Sequence, residues 1–173
     1  MGNSTNLPAV KVLRESDTCH KLIEELECGG KVSNYLKAYK CPAGVWTIGI
    51  GTTVYPNGKK VKEGDVITAD QAYEFLRFDL SHTCKLVDSY TTDVVSQQKF
   101  DSLVSFAYNL GTGALKSSTL LKKVNLNPSD PTIAKEFEKW VYAAWKVLPG
   151  LVRRRKSESW LYFNGSLKFD FIP

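Results

Sequence analysis

With 173 residues, 43% apolar and 24% charged, the chain is long enough for one domain with a sizeable core and too hydrophobic to be disordered. No apolar run approaches the ~20 residues that cross a bilayer, and residues 1–15 lack the apolar stretch of a secretory leader. The net charge of +5 suits an anionic partner such as a bacterial wall, or is simply a basic surface; nucleic acid is not expected, because the densest cluster, Arg153-Arg154-Arg155-Lys156, is too short for a nucleic-acid arm.

Residues 1–15 read as a loose lead-in. Ser16-Asp17 is an N-cap signal, and a helix is expected from there to about Glu27, stopped by Cys28-Gly29-Gly30. Residues 31–67 read as strands and turns: Val45, Trp46, Thr47, Ile48 and Ile50 favour extended backbone, and Pro56-Asn57-Gly58 marks a turn. Thr68-Ala69-Asp70-Gln71 matches a capping box, followed by Ala72, Phe75, Leu76, Leu80 and Val87 at helical spacing. Phe100, Leu103, Val104, Ala107 and Leu110 repeat that spacing up to Gly111, and a short helix is expected after Ser117-Ser118. After the loop at 127–131, Ile133, Phe137, Trp140, Val141 and Ala144 predict one longer helix, broken at Pro149-Gly150. A last helix is expected from about Leu151 to Phe163, then an irregular tail. Trp46, Phe106, Trp140 and Trp160 lie in or beside these runs and are expected to be largely buried.

The cysteines Cys19, Cys28, Cys41 and Cys84 form no C-x-x-C pair, and with only His20 and His82 to assist them no metal site or cofactor is expected. An even count permits disulfides outside the cytoplasm. Cys19 and Cys28 lie too far apart on one helix to bridge, so Cys28–Cys41 is the pairing expected if any forms.

A small β region beside helices leaves a cleft. Cutting a glycosidic bond there needs an acid for the leaving oxygen and a group that manages the attacking water, commonly two carboxyl groups. Glu24, Glu25 and Glu27 all stand near the end of the first helix, and surface glutamates on helices are usually only solvated. Composition and spacing alone do not choose among them.

A resemblance does. Leu22-Ile23-Glu24-Glu25-Leu26-Glu27 resembles the end of the first helix in phage-type lysozymes, glycoside hydrolase family 24. Leu36-Lys37-Ala38-Tyr39-Lys40-Cys41-Pro42-Ala43-Gly44-Val45-Trp46-Thr47-Ile48-Gly49-Ile50-Gly51 resembles the family's active-site hairpin. Phe100-Asp101-Ser102-Leu103-Val104-Ser105-Phe106-Ala107-Tyr108-Asn109-Leu110-Gly111 resembles its central helix. Ser118-Thr119-Leu120-Leu121 and Leu148-Pro149-Gly150-Leu151-Val152-Arg153-Arg154-Arg155 resemble later segments, so the likeness runs from about residue 20 to 163.

The family's catalytic pattern is Glu, eight residues, Asp or Cys, five residues, Thr. The resemblance implies Glu27 as general acid, Cys41 in the place of the water-positioning group and Thr47 as its helper. Asn109 and an Arg of the Arg154/Arg155 pair would line the groove or pair with the acid. Family members typically invert at the anomeric carbon, as a water held opposite the acid requires. On the residues alone, Cys41 equally suits packing or a disulfide.

Three departures set expectations. Thirteen residues, not eight, separate Glu27 from Cys41, so the segment around Gly29-Gly30-Lys31-Val32-Ser33 must loop out. Thr52 replaces a His that often follows the Gly-x-Gly, which leaves Asp79, at the place of that His's partner, without an ion pair; the loss is expected to cost stability rather than mechanism. Ala144-Trp145 replaces a small, often glycine-containing turn.

The expected fold is α+β, mostly α: a two-lobed lysozyme-like domain over residues 16–173, with a small N-terminal β-hairpin lobe and a helical C-terminal lobe. The expected activity is a muramidase cutting the β-1,4 bond between N-acetylmuramic acid and N-acetylglucosamine, the alternative being an inactive lysozyme-fold module that binds peptidoglycan. The expected partner is peptidoglycan, met by a monomer with no membrane span, held in the host cytoplasm before release to the wall, or secreted or periplasmic.

Overall fold

Local capping chemistry fixes where the helices opening at Asp17, Ala69 and Thr119 begin. The computed structural model describes residues 12–41, 43–92, 95–143 and 145–171; most of the lead-in, Ala144 and the end of the tail lie outside them. Helix α1 spans Asp17–Cys28, and the Ser16 hydroxyl accepts from the Thr18 and Cys19 N–H groups. Helix α2 spans Ala69–Tyr90 with the expected box: Gln71 N–H donates to Thr68 Oγ1 while Gln71 Oε1 accepts from Thr68 N–H. Helix α5, Thr119–Leu126, is capped by Ser118.

Helix α3, Gln97–Leu110, is the axis of the fold. It packs against α1, α2, α7 (Pro149–Asn164) and the short α4 (Thr112–Ser117). It is therefore buried all round from Phe100 to Ala107, with Phe100, Leu103, Val104 and Phe106 fully enclosed. A buried carboxylate ties α1 to it: Asp101 accepts from Ser16 Oγ at 2.5 Å and from Gln97 Nε2 at 2.9 Å.

Residues 31–67 form the small lobe. A 3-10 turn at Val32–Tyr35 leads to strand β1 (Tyr39–Lys40), which pairs antiparallel with β2 (Trp46–Thr47), Tyr39 opposite Thr47. Single bridges Ile48–Thr52, Val54–Lys60 and Lys37–Val66 continue the lobe. Its Ile48, Ile50, Val61 and Ile67 join the same core as the helices. The close seat on α2 depends on Gly49: it has φ +60, and a Cβ there would lie 2.9 Å from the Ala72 Cβ.

Several expectations need correction. The helix expected from Ile133 through Ala144 stops at Glu138 (α6, Ile133–Glu138), and the chain turns into a hairpin, β3 (Tyr142–Ala143) with β4 (Lys146–Val147). Leu148 N–H closes it on Val141 O. Val141, Tyr142 and Val147 suit extended backbone, so β propensity overrides an apolar spacing that also fits a helix. Pro149 does not separate two helices but opens α7, where its missing N–H costs nothing. Gly111 ends α3 and also begins α4, which was not foreseen.

Phe106 is fully buried, but Trp46, Trp140 and Trp160 are only half-buried. The Trp160 indole N–H donates to Ser166 Oγ at 3.3 Å, and its ring meets Lys168, which keeps its polar edge at the surface. No disulfide forms: all four cysteines are free. Cys28 faces the core and donates to Glu24 O at 3.1 Å, which keeps it from Cys41 in the cleft.

Candidate active site

The thirteen residues between Glu27 and Cys41 are absorbed where the looping-out was required. Gly29 N–H returns to Glu25 O, Lys31 N–H to Cys28 O, and the 3-10 turn follows. Glu27 thereby reaches the cleft between the small lobe and the helices. It lines two adjoining cavities, which share Glu27, Gly51 and Thr53. One, of about 390 Å³, is completed by Tyr35, Tyr39, Cys41 and Thr47. The other, of about 380 Å³, is completed by Val54, Asp79, Tyr108 and Asn109.

Glu27 is held from the helical side. Arg154 Nη2 donates to Glu27 Oε1 at 2.5 Å; the arginine side chain is 6% exposed and the glutamate 23%, so the acid keeps an open face while its partner is enclosed. Gly51 permits this closeness. It has φ +82, and a Cβ there would stand 3.3 Å from both Glu27 Oε2 and the Tyr108 hydroxyl. Tyr108 donates to Ile50 O at 2.9 Å and so locks the lobe to α3. Burial, and then the charges of Glu27 and Asp79, push its phenol well above the ordinary tyrosine range.

The other glutamates at the helix end have other partners. Glu25 takes Arg153 Nη2 at 2.5 Å and Glu24 takes the Tyr73 hydroxyl at 3.0 Å. Neither lines the two cavities.

Opposite, Cys41 stands at the end of β1. Its N–H donates to Val45 O at 3.0 Å, and the Thr47 hydroxyl donates to the same carbonyl at 3.1 Å. The Cys41 thiol is lowered from its ordinary value by the Val45 and Ala43 backbone amides and by the Thr47 hydroxyl, which can turn to the sulfur. The other three thiols are buried and moved the opposite way; burial holds Cys28 at about 11.

Arg155 does not line the groove. It is fully buried, ion-paired to Glu158 at 3.0 Å, stacked on the Phe106 ring, and donates to Asn109 Oδ1 at 2.8 Å. Ser105 completes the cluster by donating to Glu158 Oε1 at 2.8 Å. Asn109 lines the cleft, and Arg155 orients it from behind. Sequence reasoning missed Tyr35, Tyr39, Thr53 and the Ser105–Glu158 support. Tyr108 lies in the segment that resembles the family's central helix, where the resemblance gives it no role, and for Asp79 the resemblance implies only a lost ion pair.

Among the described residues no cluster of three or more His, Cys, Asp or Glu could hold a metal ion.

Comparisons with known proteins bear on the family and the fold. The profile of the family described as phage lysozyme matches residues 32–158, a span that begins just after Glu27. An endolysin of Acyrthosiphon pisum secondary endosymbiont phage 1 is 39% identical over 131 residues, covering 73% of this chain and 86% of that protein. Among solved structures, an endolysin from Escherichia coli O157:H7 phage FAHEc1 superposes with a TM-score of 0.83 at 30% identity, covering 91% of this chain and 98% of that one. The muramidase domain of SpmX from Asticaccaulis excentricus superposes with a TM-score of 0.73 at 31% identity, covering 87% of this chain and 97% of that one.

Proposed function

Since this chain belongs to the phage lysozyme family and is a peptidoglycan-hydrolysing glycosidase, we propose that Glu27 is its general acid and that Cys41 and Thr47 hold the attacking water. The observation that carries this reading is the shared cavity: Glu27 on one wall, Cys41 and Thr47 on the other. A bond of the β-1,4 type lying in it receives a proton from Glu27 on the leaving oxygen. Water attacks the anomeric carbon from the opposite face and passes its proton to the Cys41 thiolate, while Glu27 is left as carboxylate. The lowered thiol pKa leaves more of Cys41 as thiolate than in an ordinary cysteine, and the thiolate is the form able to take a proton from water.

Asn109 binds the sugar, Arg154 keeps Glu27 in its rotamer, and Arg155 acts only through Asn109. This reading takes the working enzyme as a monomer. Among the described residues no helix is long and apolar enough to cross a membrane. The enzyme reaches the wall by release from the host cytoplasm, or as a secreted or periplasmic protein, and needs no nucleic acid.

The test is the stereochemistry of the product. Proton NMR of digested soluble peptidoglycan should show the α anomer of the new N-acetylmuramic acid reducing end first, mutarotating afterwards. A β anomer formed first means a covalent intermediate and rejects the water-holding role of Cys41 and Thr47.

A further inference from the structure

Among the described residues the buried carboxylates come with partners, whereas the half-buried Asp79 does not. Asp101 has Ser16 and Gln97, and Glu158 has Arg155 and Ser105. Asp79 lines the cavity beside Glu27, yet among the described residues its carboxyl has no hydrogen bond or ion pair, and burial alone pushes it up to about 6. Thr52, which stands where the resemblance places a His, does not supply one: its hydroxyl is itself buried and unpartnered. Among the described residues no basic side chain lines this cavity. The titratable groups facing it are Glu27 from α1 and Tyr108 from α3, with Arg154 of α7 beyond Glu27. An unpaired carboxyl half out of water is a standing cost to the fold. Of its companions, Thr53, Tyr108 and Asn109 are polar and Val54 is apolar, and a space of about 380 Å³ is large enough for a pyranose ring.

We propose that Asp79 is a saccharide-binding residue of this cleft, its carboxylate accepting hydrogen bonds from the hydroxyl or amide N–H groups of the sugar beside the one attacked. The proposal rests on the reading of Glu27 as the acid. Sugar donors supply the partners that the folded chain leaves out, and a charged acceptor makes them strong. Asp79 is a binding residue and takes no part in proton transfer, so its contribution falls on KM and not on kcat.

Release of dye from labelled peptidoglycan sacculi, measured from about pH 4.5 to pH 8, separates the roles. For the parent, one proton titrating near 6 predicts a KM about tenfold higher at about pH 5 than at about pH 7. Asp79→Asn should raise KM at about pH 7 by roughly tenfold, flatten its pH profile and leave kcat within about twofold. Asp79→Glu keeps a carboxyl and should keep the acid limb. Asp79→Ser, measured in the same way, must give the same flat profile as Asp79→Asn, and it decides the matter should the amide variant not fold. An acid limb of KM that survives in Asp79→Asn or Asp79→Ser, or a loss confined to kcat, overturns the proposal. Failure of the Glu27 reading is distinct: it would appear as retained kcat in Glu27→Gln.

Discussion

The hairpin wall of the cleft and its helical wall hold their functional groups by different means. Cys41, just after β1, and Thr47, at the end of β2, are held through the Val45 carbonyl, which accepts the Cys41 N–H and the Thr47 hydroxyl, beside strands only two residues long. Glu27 and Asn109 are fixed by side-chain charges, Arg154 and Arg155, anchored in α7 and backed by Glu158. The first arrangement is shallow: the hairpin tip from Ala43 to Val45 is exposed and leaves the sulfur half-open to solvent. The second is enclosed, with Arg155 and Glu158 fully buried. The water side of the reaction thus rests on a light scaffold, and the acid side on the core of the fold.

That contrast can be broken at graded cost. The largest effect belongs to Glu158→Ala, which leaves the Arg155 guanidinium buried without its counter-charge. It should lower stability by about 3–5 kcal/mol in chemical denaturation, whereas any hairpin-wall substitution should cost far less. Trp140→Ala comes next. Because Trp140 is half-buried, with its ring 5.5 Å from Phe106, the expected loss is about 2–3 kcal/mol; a loss under ~1 kcal/mol would mean that its contact with Phe106 contributes little.

On the other wall, Thr47→Ala should reduce kcat about tenfold with a melting temperature close to the parent's, because its hydroxyl serves the Cys41 side and the Val45 carbonyl only. A thermal loss as large as that of Glu158→Ala would erase the distinction between the walls.

The smallest effect is on pH. The folded pKa of Asp79 lies above its unfolded value of 3.8, so its burial costs nothing below about pH 4 and the full amount above about pH 6. Asp79→Asn should therefore raise the melting temperature near neutral pH and leave it unchanged near pH 4. A lowered melting temperature at neutral pH would mean that the carboxylate has a stabilising partner.

What the sequence made legible was what is local. Ser16, Thr68 and Ser118 announce α1, α2 and α5 because a cap needs only its own first turn. Glu27, Cys41, Thr47 and Asn109 were legible through the family resemblance and not by spacing, and the two cavities between them are lined by all four. The hairpin after α6 was not, because Ile133, Phe137, Trp140 and Val141 satisfy helical spacing although the last two lie beyond the helix. Nor was the division of labour between Arg154 and Arg155. Adjacent residues on one helix point about 100° apart, so only the packing of α7 on α3 decides which meets Glu27 and which meets Glu158. Asp79 was legible as a carboxylate robbed of its partner but not as a wall of the cleft, since that depends on α2 crossing beside α3.

The central claim is that Glu27, and neither of its neighbours, delivers the proton. Lysis of outer-membrane-permeabilised cells, followed by turbidity, compares Glu27→Gln with Glu24→Gln and Glu25→Gln. The neighbours serve Tyr73 and Arg153 away from the two cavities, so their variants should keep most of the activity. Glu27→Gln should fold, bind peptidoglycan and lose about 10²–10⁴ in rate, because an amide fills the same space and has no proton to give. Parent-like lysis by Glu27→Gln would contradict the assignment and send the search for the acid elsewhere in the cleft.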